Sequence, residues 1–275
     1  MRIDVGDVGL EVRVEGEGSP VVLLHGWPDR GRLWDHQVAA LVEAGHRVVV
    51  PDLRGFGDSD RPDGVEAYGI LHLAGDVLGV LDRLEVERAA VVGHDWGAGL
   101  AWALASFSPD RVERLAVLSV GHPLSFRAAG LAQRQLSWYM LLFQFEGVAE
   151  RWLSDDDWAN LRDFAGSHLG LDDAIADLSR PGALTASLNW YRANAAPAQL
   201  VQPPLPFPPV AAPTMGIWSS EDLALTEQQM TGSAEHVSGP WRYERIDGAG
   251  HWMQLDAPER VNELLIDFLE AGPVG

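Results

Sequence analysis

At 275 residues, 47% hydrophobic and 22% charged, the chain is long enough to bury a large core, and it reads as one elaborated domain rather than two independent ones. Forty acidic residues against 20 basic ones give a formal net charge of -20, which repels phosphate backbones and anionic lipid and argues against nucleic-acid partners, membrane partners and strongly anionic substrates. The absence of cysteine excludes disulfides and thiolate chemistry, and no apolar stretch is long enough to span a bilayer.

Arg2, Asp4, Asp7, Glu11 and Arg13 interrupt the first residues, so no signal-peptide apolar region forms there and a cytoplasmic location is expected. Arg2 to Val5 and Leu10 to Val14 alternate polar and apolar around a Gly6 to Gly9 turn, the pattern of an antiparallel hairpin at a sheet edge. Val21 to Leu24, Val48 to Val50, Ala89 to Val92 and Leu115 to Leu118 are short unbroken apolar runs, as in strands buried on both faces. Helical patterns separate them at Leu33 to Ala44, Leu73 to Leu84 and Ala98 to Ser106. Such alternation calls for a mostly parallel sheet of right-handed crossovers, covered by helices on both faces, with chemistry at the carboxyl ends of the strands.

After Gly121 the alternation stops. From Pro123 to about Ala196 only helical periodicity is seen, rich in aromatics such as Trp138, Tyr139, Phe143, Trp152, Trp158, Phe164, Trp190 and Tyr191. Seven prolines between Pro197 and Pro213 exclude a helix or inner strand and predict an extended return strap. Strands resume at Thr214 to Trp218 and Trp241 to Ile246, followed by a helix at Pro258 to Leu269 with proline in its first turn. The expected division is a core over 1–122, a helical cap over 123–205 and the rest of the core over 206–275.

Gly93-His94-Asp95-Trp96-Gly97 follows the third buried run and precedes a helix, so Asp95 stands on a sharp strand-to-helix turn of the Gly-x-nucleophile-x-Gly type. An aspartate there is either a helix N-cap or a nucleophile. A carboxylate is already ionised at neutral pH and can attack unaided. Its attack on an acyl carbon gives a reactive anhydride, whereas attack on a saturated carbon bearing a leaving group gives a stable alkyl ester that water can then cleave. Epoxides and alkyl halides fit that chemistry. A partner histidine and acid are supplied at the ends of the last two strands by His251 and by Asp222, with Glu221 as a neighbour able to compete. The order nucleophile, acid, histidine is that of a strand-end triad. His25-Gly26-Trp27-Pro28-Asp29 ends the first buried run, and the backbone amides of Trp27 and Trp96 are placed to form an oxyanion hole. The loop Asp52 to Ser59 is glycine-rich but lacks the lysine and helix start of a phosphate loop, and reads as structural.

Over nearly its whole length the chain resembles the α/β-hydrolase superfamily, and within it the epoxide hydrolases. The segment His25 to Asp29 looks like that branch's His-Gly-x-Pro motif, whose x-Pro bond is typically cis; Gly93 to Gly97 looks like its aspartate elbow, and Gly250 to Pro258 like its histidine loop. The resemblance implies an eight-stranded sheet with an inserted cap. It also implies a pair of cap tyrosines that hold and protonate the epoxide oxygen, which match Tyr139 and Tyr191 in Leu188-Asn189-Trp190-Tyr191-Arg192. His25, Pro28, Trp190 and Trp252 flank these motifs and are expected to contact substrate. The implied enzyme needs no cofactor or metal, acts on an uncharged hydrophobic epoxide with water, and is a monomer or homodimer. A haloalkane or haloacid dehalogenase on the same scaffold, and a non-catalytic ligand-binding member of the fold, are the alternatives.

Overall fold

In a computed structural model, which describes residues 1–271, the chain forms one eight-stranded sheet in the order β1-β2-β4-β3-β5-β6-β7-β8. The edge hairpin pairs β1 (Arg2–Val5) with β2 (Val8–Glu15), antiparallel, and β2 pairs antiparallel with β4 (His46–Pro51). All remaining neighbours are parallel: β3 (Ser19–Leu24), β5 (Ala89–His94), β6 (Val112–Leu118), β7 (Thr214–Glu221) and β8 (Trp241–Gly250). Val21 to Leu24 and Leu115 to Leu118 are buried at every position, so both faces of the central strands are covered, as unbroken apolar runs require.

The covering helices are α1 (Asp35–Glu43), α2 (Ile70–Arg83) and α3 (Trp96–Phe107). The helical pattern expected to start at Leu33 opens with a 3-10 turn, Gly31–Trp34, before α1 begins. Between β6 and β7 come α4 (Pro123–Ala128), α5 (Gly130–Leu136), α6 (Trp138–Leu142), α7 (Val148–Phe164), α8 (Leu171–Leu178) and α9 (Ala183–Asn194). α7 is two helical pieces separated at Asp155–Trp158, where Asp156, Asp157 and Trp158 all take the left-handed conformation. Non-glycine residues reach that region only at a cost of about 1 kcal/mol or more each. Asn160 and Arg162 donate side-chain hydrogen bonds to the carbonyls of Trp152 and Asp157 and so bridge the break.

The proline-rich return is not wholly extended. It opens with a 3-10 turn at Pro197–Val201, where proline takes the first helical position that its fixed φ and missing N–H suit. Beyond it the strap is irregular up to Val210, which bridges to Val237. The chain closes with α10 (Glu227–Thr231), α11 (Met253–Asp256) and α12 (Pro258–Glu270), the last packed against α1. Among the described residues no helix is long and apolar enough to cross a membrane.

The loop after β4 is held by charge. Asp52 accepts the backbone N–H groups of Gly31 and Asp58, and Arg54 forms a two-pronged buried pair with Asp76 at 2.8 and 2.7 Å. Those bonds give the Asp52 to Ser59 loop the structural role its composition suggests.

Candidate active site

Asp95 lies between β5 and α3 with φ 52° and ψ -120°, a conformation that lifts its side chain off the sheet. The close approach needs glycine on either side. A Cβ on Gly93 would stand 2.2 Å from the Gly97 carbonyl oxygen, and one on Gly97 would stand 2.0 Å from that of Leu24. The backbone carbonyl of Asp95 accepts the N–H groups of Ala98 and Gly99, but its carboxylate forms no capping bond to α3. Instead Oδ1 accepts the backbone N–H of Trp27 at 2.8 Å, while Oδ2 lies 3.8 Å from His251 Nε2. The carboxylate therefore faces the loop after β3 and the histidine, not its own helix.

The Trp27 amide reaches Asp95 because Gly26 brings the two backbones together: a Cβ there would lie 2.4 Å from Asp95 Oδ1. The Trp27-Pro28 peptide bond is cis, as the resemblance implies. His251 follows β8, and its Nδ1 lies 3.0 and 3.1 Å from the two carboxylate oxygens of Asp222. Asp222 follows β7 with its side chain fully buried, and its Oδ1 also accepts the N–H groups of Ala224 and Leu225. Glu221, the competing acid, is the exposed last residue of β7. Asp222 is thus the acid that meets the histidine.

Burial disfavours charge on His251, but Asp222 and then Asp95 overcome it and push its pKa up to about 9. Burial likewise raises Asp95 above the usual carboxylate value, against the pull of His251 and of the Trp27 and Trp96 amides. The His251 imidazole thus lies between the carboxyl groups of Asp222 and Asp95, whose charges favour its protonated form.

Tyr139 on α6 and Tyr191 on α9 close the space above Asp95, their ring centres 5.9 Å apart. Burial, reinforced by the nearby Asp95, holds both phenols well above their ordinary pKa, so both keep their protons. The chamber is lined by Trp27, Asp95, Tyr139, Phe164, Tyr191, Leu223, Ala224, His251 and Trp252, with about 10 Å³ of free volume, room for roughly one water.

Three of the four residues expected at substrate do not border this chamber. Pro28 is buried and does not line it. Both ring nitrogens of His25 are used internally, Nδ1 on the Gly26 carbonyl and Nε2 accepting the N–H of Leu53 at 2.9 Å, so His25 holds loops together. Trp190 points away from Tyr191: its indole N–H donates to the carbonyl of Arg54 at 2.9 Å and its ring packs on Phe56. Trp252 does line the chamber. Its indole donates to Asp29 Oδ2 at 3.0 Å, and Asp29 Oδ1 accepts Nε2–H of His168, from the loop between α7 and α8, at 2.8 Å. Nδ1 of His168 accepts the Gly170 N–H, which leaves Nε2 as the protonated nitrogen of the neutral ring. This buried bond between the sheet and the helical insertion has no signature in sequence, nor do Phe164 and Leu223 as chamber walls. Among the described residues no group of three or more histidines and carboxylates is arranged to hold a metal.

The sequence pattern of the alpha/beta hydrolase fold matches residues 19–258. The chain is 35% identical over 312 aligned positions to "Epoxide hydrolase A" of Mycobacterium tuberculosis, covering 97% of this chain and 96% of that one. It belongs to the epoxide hydrolase family of α/β-hydrolases. The "AB hydrolase superfamily protein YfhM" of Bacillus subtilis is 33% identical, covering 98% and 96% of the two chains. Among solved structures, the epoxide hydrolase of Bacillus megaterium in complex with an inhibitor superposes with a TM-score of 0.89 at 27% identity, covering 98% of this chain and all of that one. Epoxide Hydrolase A from Mycobacterium thermoresistibile gives 0.80 at 33% identity, with 98% of each chain covered. Membership makes the chain an epoxide hydrolase at the level of the family, with an eight-stranded, mostly parallel sheet as the family fold.

Proposed function

We propose that this epoxide hydrolase opens an uncharged, hydrophobic epoxide through an ester on Asp95 and releases a vicinal diol. The observation that carries the reading is the division of labour between the two Asp95 oxygens. Oδ1 is held by the Trp27 amide, whereas Oδ2 faces the chamber and His251. Oδ2 is therefore the attacking atom. It forms the C–O bond to a ring carbon as that carbon's bond to the epoxide oxygen breaks, and the oxygen, becoming an alkoxide, takes a proton from Tyr139 or Tyr191. Burial keeps both phenols protonated beforehand, and a phenol is a stronger acid than the alcohol that the alkoxide becomes.

In the ester Oδ1, held by the Trp27 amide, becomes the carbonyl oxygen, and the Trp96 amide also acts on this carboxyl group. His251, its Nδ1–H held by Asp222 and its Nε2 proton given up to solvent once the Asp95 charge is gone, takes a proton from water at Nε2 as that water attacks the Asp95 carbonyl carbon. The negative charge that develops on Oδ1 is stabilised by the two amides, each worth on the order of 3 kcal/mol in such sites. Collapse breaks the bond between the Asp95 carbonyl carbon and the diol oxygen, that oxygen takes the proton from His251 as the diol leaves, and the proton left on the Asp95 carboxyl group restores the tyrosine phenol.

The test is product analysis on a panel of aryl and alkyl epoxides run beside short haloalkanes, with diol and halide assayed on the same protein. Diol without halide is the expected result. Halide without diol would replace this reading with a dehalogenase, in which the tyrosines only pack, and neither product from any substrate would favour a ligand-binding member of the fold.

A further inference from the structure

The tyrosine pair poses a geometric problem, because Tyr139 and Tyr191 sit on separate helices far apart in sequence and a proton donor must meet the epoxide oxygen within a few tenths of an ångström. We infer that Arg192 is the positioning residue that fixes the separation of the two tyrosines, tying α9 to the end of α6 through the Phe143 carbonyl; the inference rests on the tyrosine-assisted reading above.

Arg192 follows Tyr191 directly and is 7% exposed, unusual for an arginine outside the reaction chamber. Its Nε–H donates to the Phe143 carbonyl at 3.0 Å and Nη1 donates to Asn189 Oδ1 at 3.0 Å. Nη1 also pairs with Glu150 Oε1 at 2.8 Å, and Glu150 Oε2 in turn accepts the N–H of Gly147 at the start of α7. One guanidinium thus grips both ends of the turn that follows Tyr139. Gln144 reinforces the grip, since its side-chain amide donates to the carbonyls of both Met140 and Tyr191.

The Phe143 ring explains why that carbonyl matters. It packs 5.5 Å from the Tyr139 ring, 5.0 Å from the Tyr191 ring and 5.2 Å from Trp27, a spacer between both tyrosines and the oxyanion-hole residue. Releasing the carbonyl frees the spacer, and the tyrosines drift apart while Asp95, His251 and Asp222 stay where the sheet holds them.

The consequence is selective. Ester formation needs the tyrosines and ester hydrolysis does not, so Arg192 should govern one half-reaction only. The experiment is single-turnover kinetics on an aryl epoxide, separating ester formation from ester hydrolysis, for Arg192→Met, Arg192→Lys and Gln144→Leu, with Tyr139→Phe and Tyr191→Phe alongside. The expected result for Arg192→Met is ester formation slowed by about 10- to 100-fold, as a misplacement near 1 Å does, with hydrolysis of the preformed ester within about twofold of the parent. Arg192→Lys, which retains a donor for the Phe143 carbonyl, recovers part of the loss, and Gln144→Leu shows a smaller loss of the same kind. Equal slowing of both half-reactions, or no slowing of ester formation, overturns the inference. Should Arg192→Met fail to fold, Arg192→Lys and Gln144→Leu give the same split or refute it. Tyrosine variants with undiminished ester formation would refute the underlying reading, whereas impaired tyrosine variants beside an unimpaired Arg192→Met refute the inference alone.

Discussion

Asp95 Oδ2 and His251 Nε2 stand 3.8 Å apart, close enough to share charge and too far for a good hydrogen bond. In the proposed mechanism that separation leaves Oδ2 unencumbered for attack and lets the protonation of His251 change during turnover. While Asp95 is ionised it helps Asp222 hold the imidazole charged to about pH 9. In the proposed mechanism esterification removes the Asp95 charge, and His251 loses one of its anionic neighbours at the moment it is needed as a base. The pKa governing ester hydrolysis should therefore lie below about 9, and the acid limb of that step, followed by single-turnover kinetics across pH 5–10, should report it. A limb centred at or above 9 would show that the Asp95 charge does not control the histidine.

The same pair carries a stability signature. The folded-state pKa of His251 is raised above its ordinary value, so its contribution is fully present below about pH 6.5 and is lost as pH rises through about 9. The size is at most on the order of 3 kcal/mol, from about 1.4 kcal/mol per pKa unit. Denaturant melts should show stability falling between pH 7 and 10, and Asp222→Asn, which removes the main source of the raised pKa, should flatten that fall.

Gly26→Ala is expected to act on chemistry more than on folding. A methyl group 2.4 Å from Asp95 Oδ1 must push the carboxylate off the Trp27 amide. Activity should drop by about 100-fold or more, the scale for losing an oxyanion donor. Gly97→Ala, whose methyl would meet the Leu24 carbonyl at 2.0 Å, has only backbone to displace and should cost solubility and melting temperature as well.

Asp76→Ala should be among the more destabilising substitutions in the core. It leaves the Arg54 guanidinium, 3% exposed, without its two-pronged partner. Breaking a buried pair from one side costs about 3–5 kcal/mol, and urea denaturation would measure it. A loss under 1 kcal/mol would mean that Asp7, 3.4 Å from the same guanidinium, takes over the charge.

Much of this architecture is legible in the chain because it is local. Val21 to Leu24 and Leu115 to Leu118 are buried on both faces and say so in every residue, Asp95 follows another such run, and Asp222 and His251 follow the last two strands. The substrate contacts were harder to read because neighbours in sequence need not share a face. Trp190 and Tyr191 are adjacent, yet successive residues of a helix point about 100° apart, and only the second faces Asp95. His25 stands beside the oxyanion loop but spends both nitrogens on backbone. His168 and Asp29 meet from segments with no periodic or motif relation, so nothing short of the packed structure joins them. The left-handed turn at Asp156 to Trp158 is equally silent, since none of its residues is a glycine that would announce it.

β6 and β7 are hydrogen-bonded neighbours, Leu115 opposite Thr214, although six helices separate them along the chain. The two strands are parallel, so the excursion leaves at the carboxyl end of one and returns at the amino end of its neighbour, one strand spacing aside. It can be lengthened, shortened or exchanged without moving a strand out of register. The side chains proposed for attack and hydrolysis stand on the sheet, and the tyrosines proposed to grip the epoxide oxygen stand on the excursion. In that proposal the nucleophile and the groups that hydrolyse its ester belong to the sheet while the proton donors belong to the excursion, and a graft between Gly121 and Val210 that keeps the tyrosine pair is the natural way to give the same nucleophile a different repertoire.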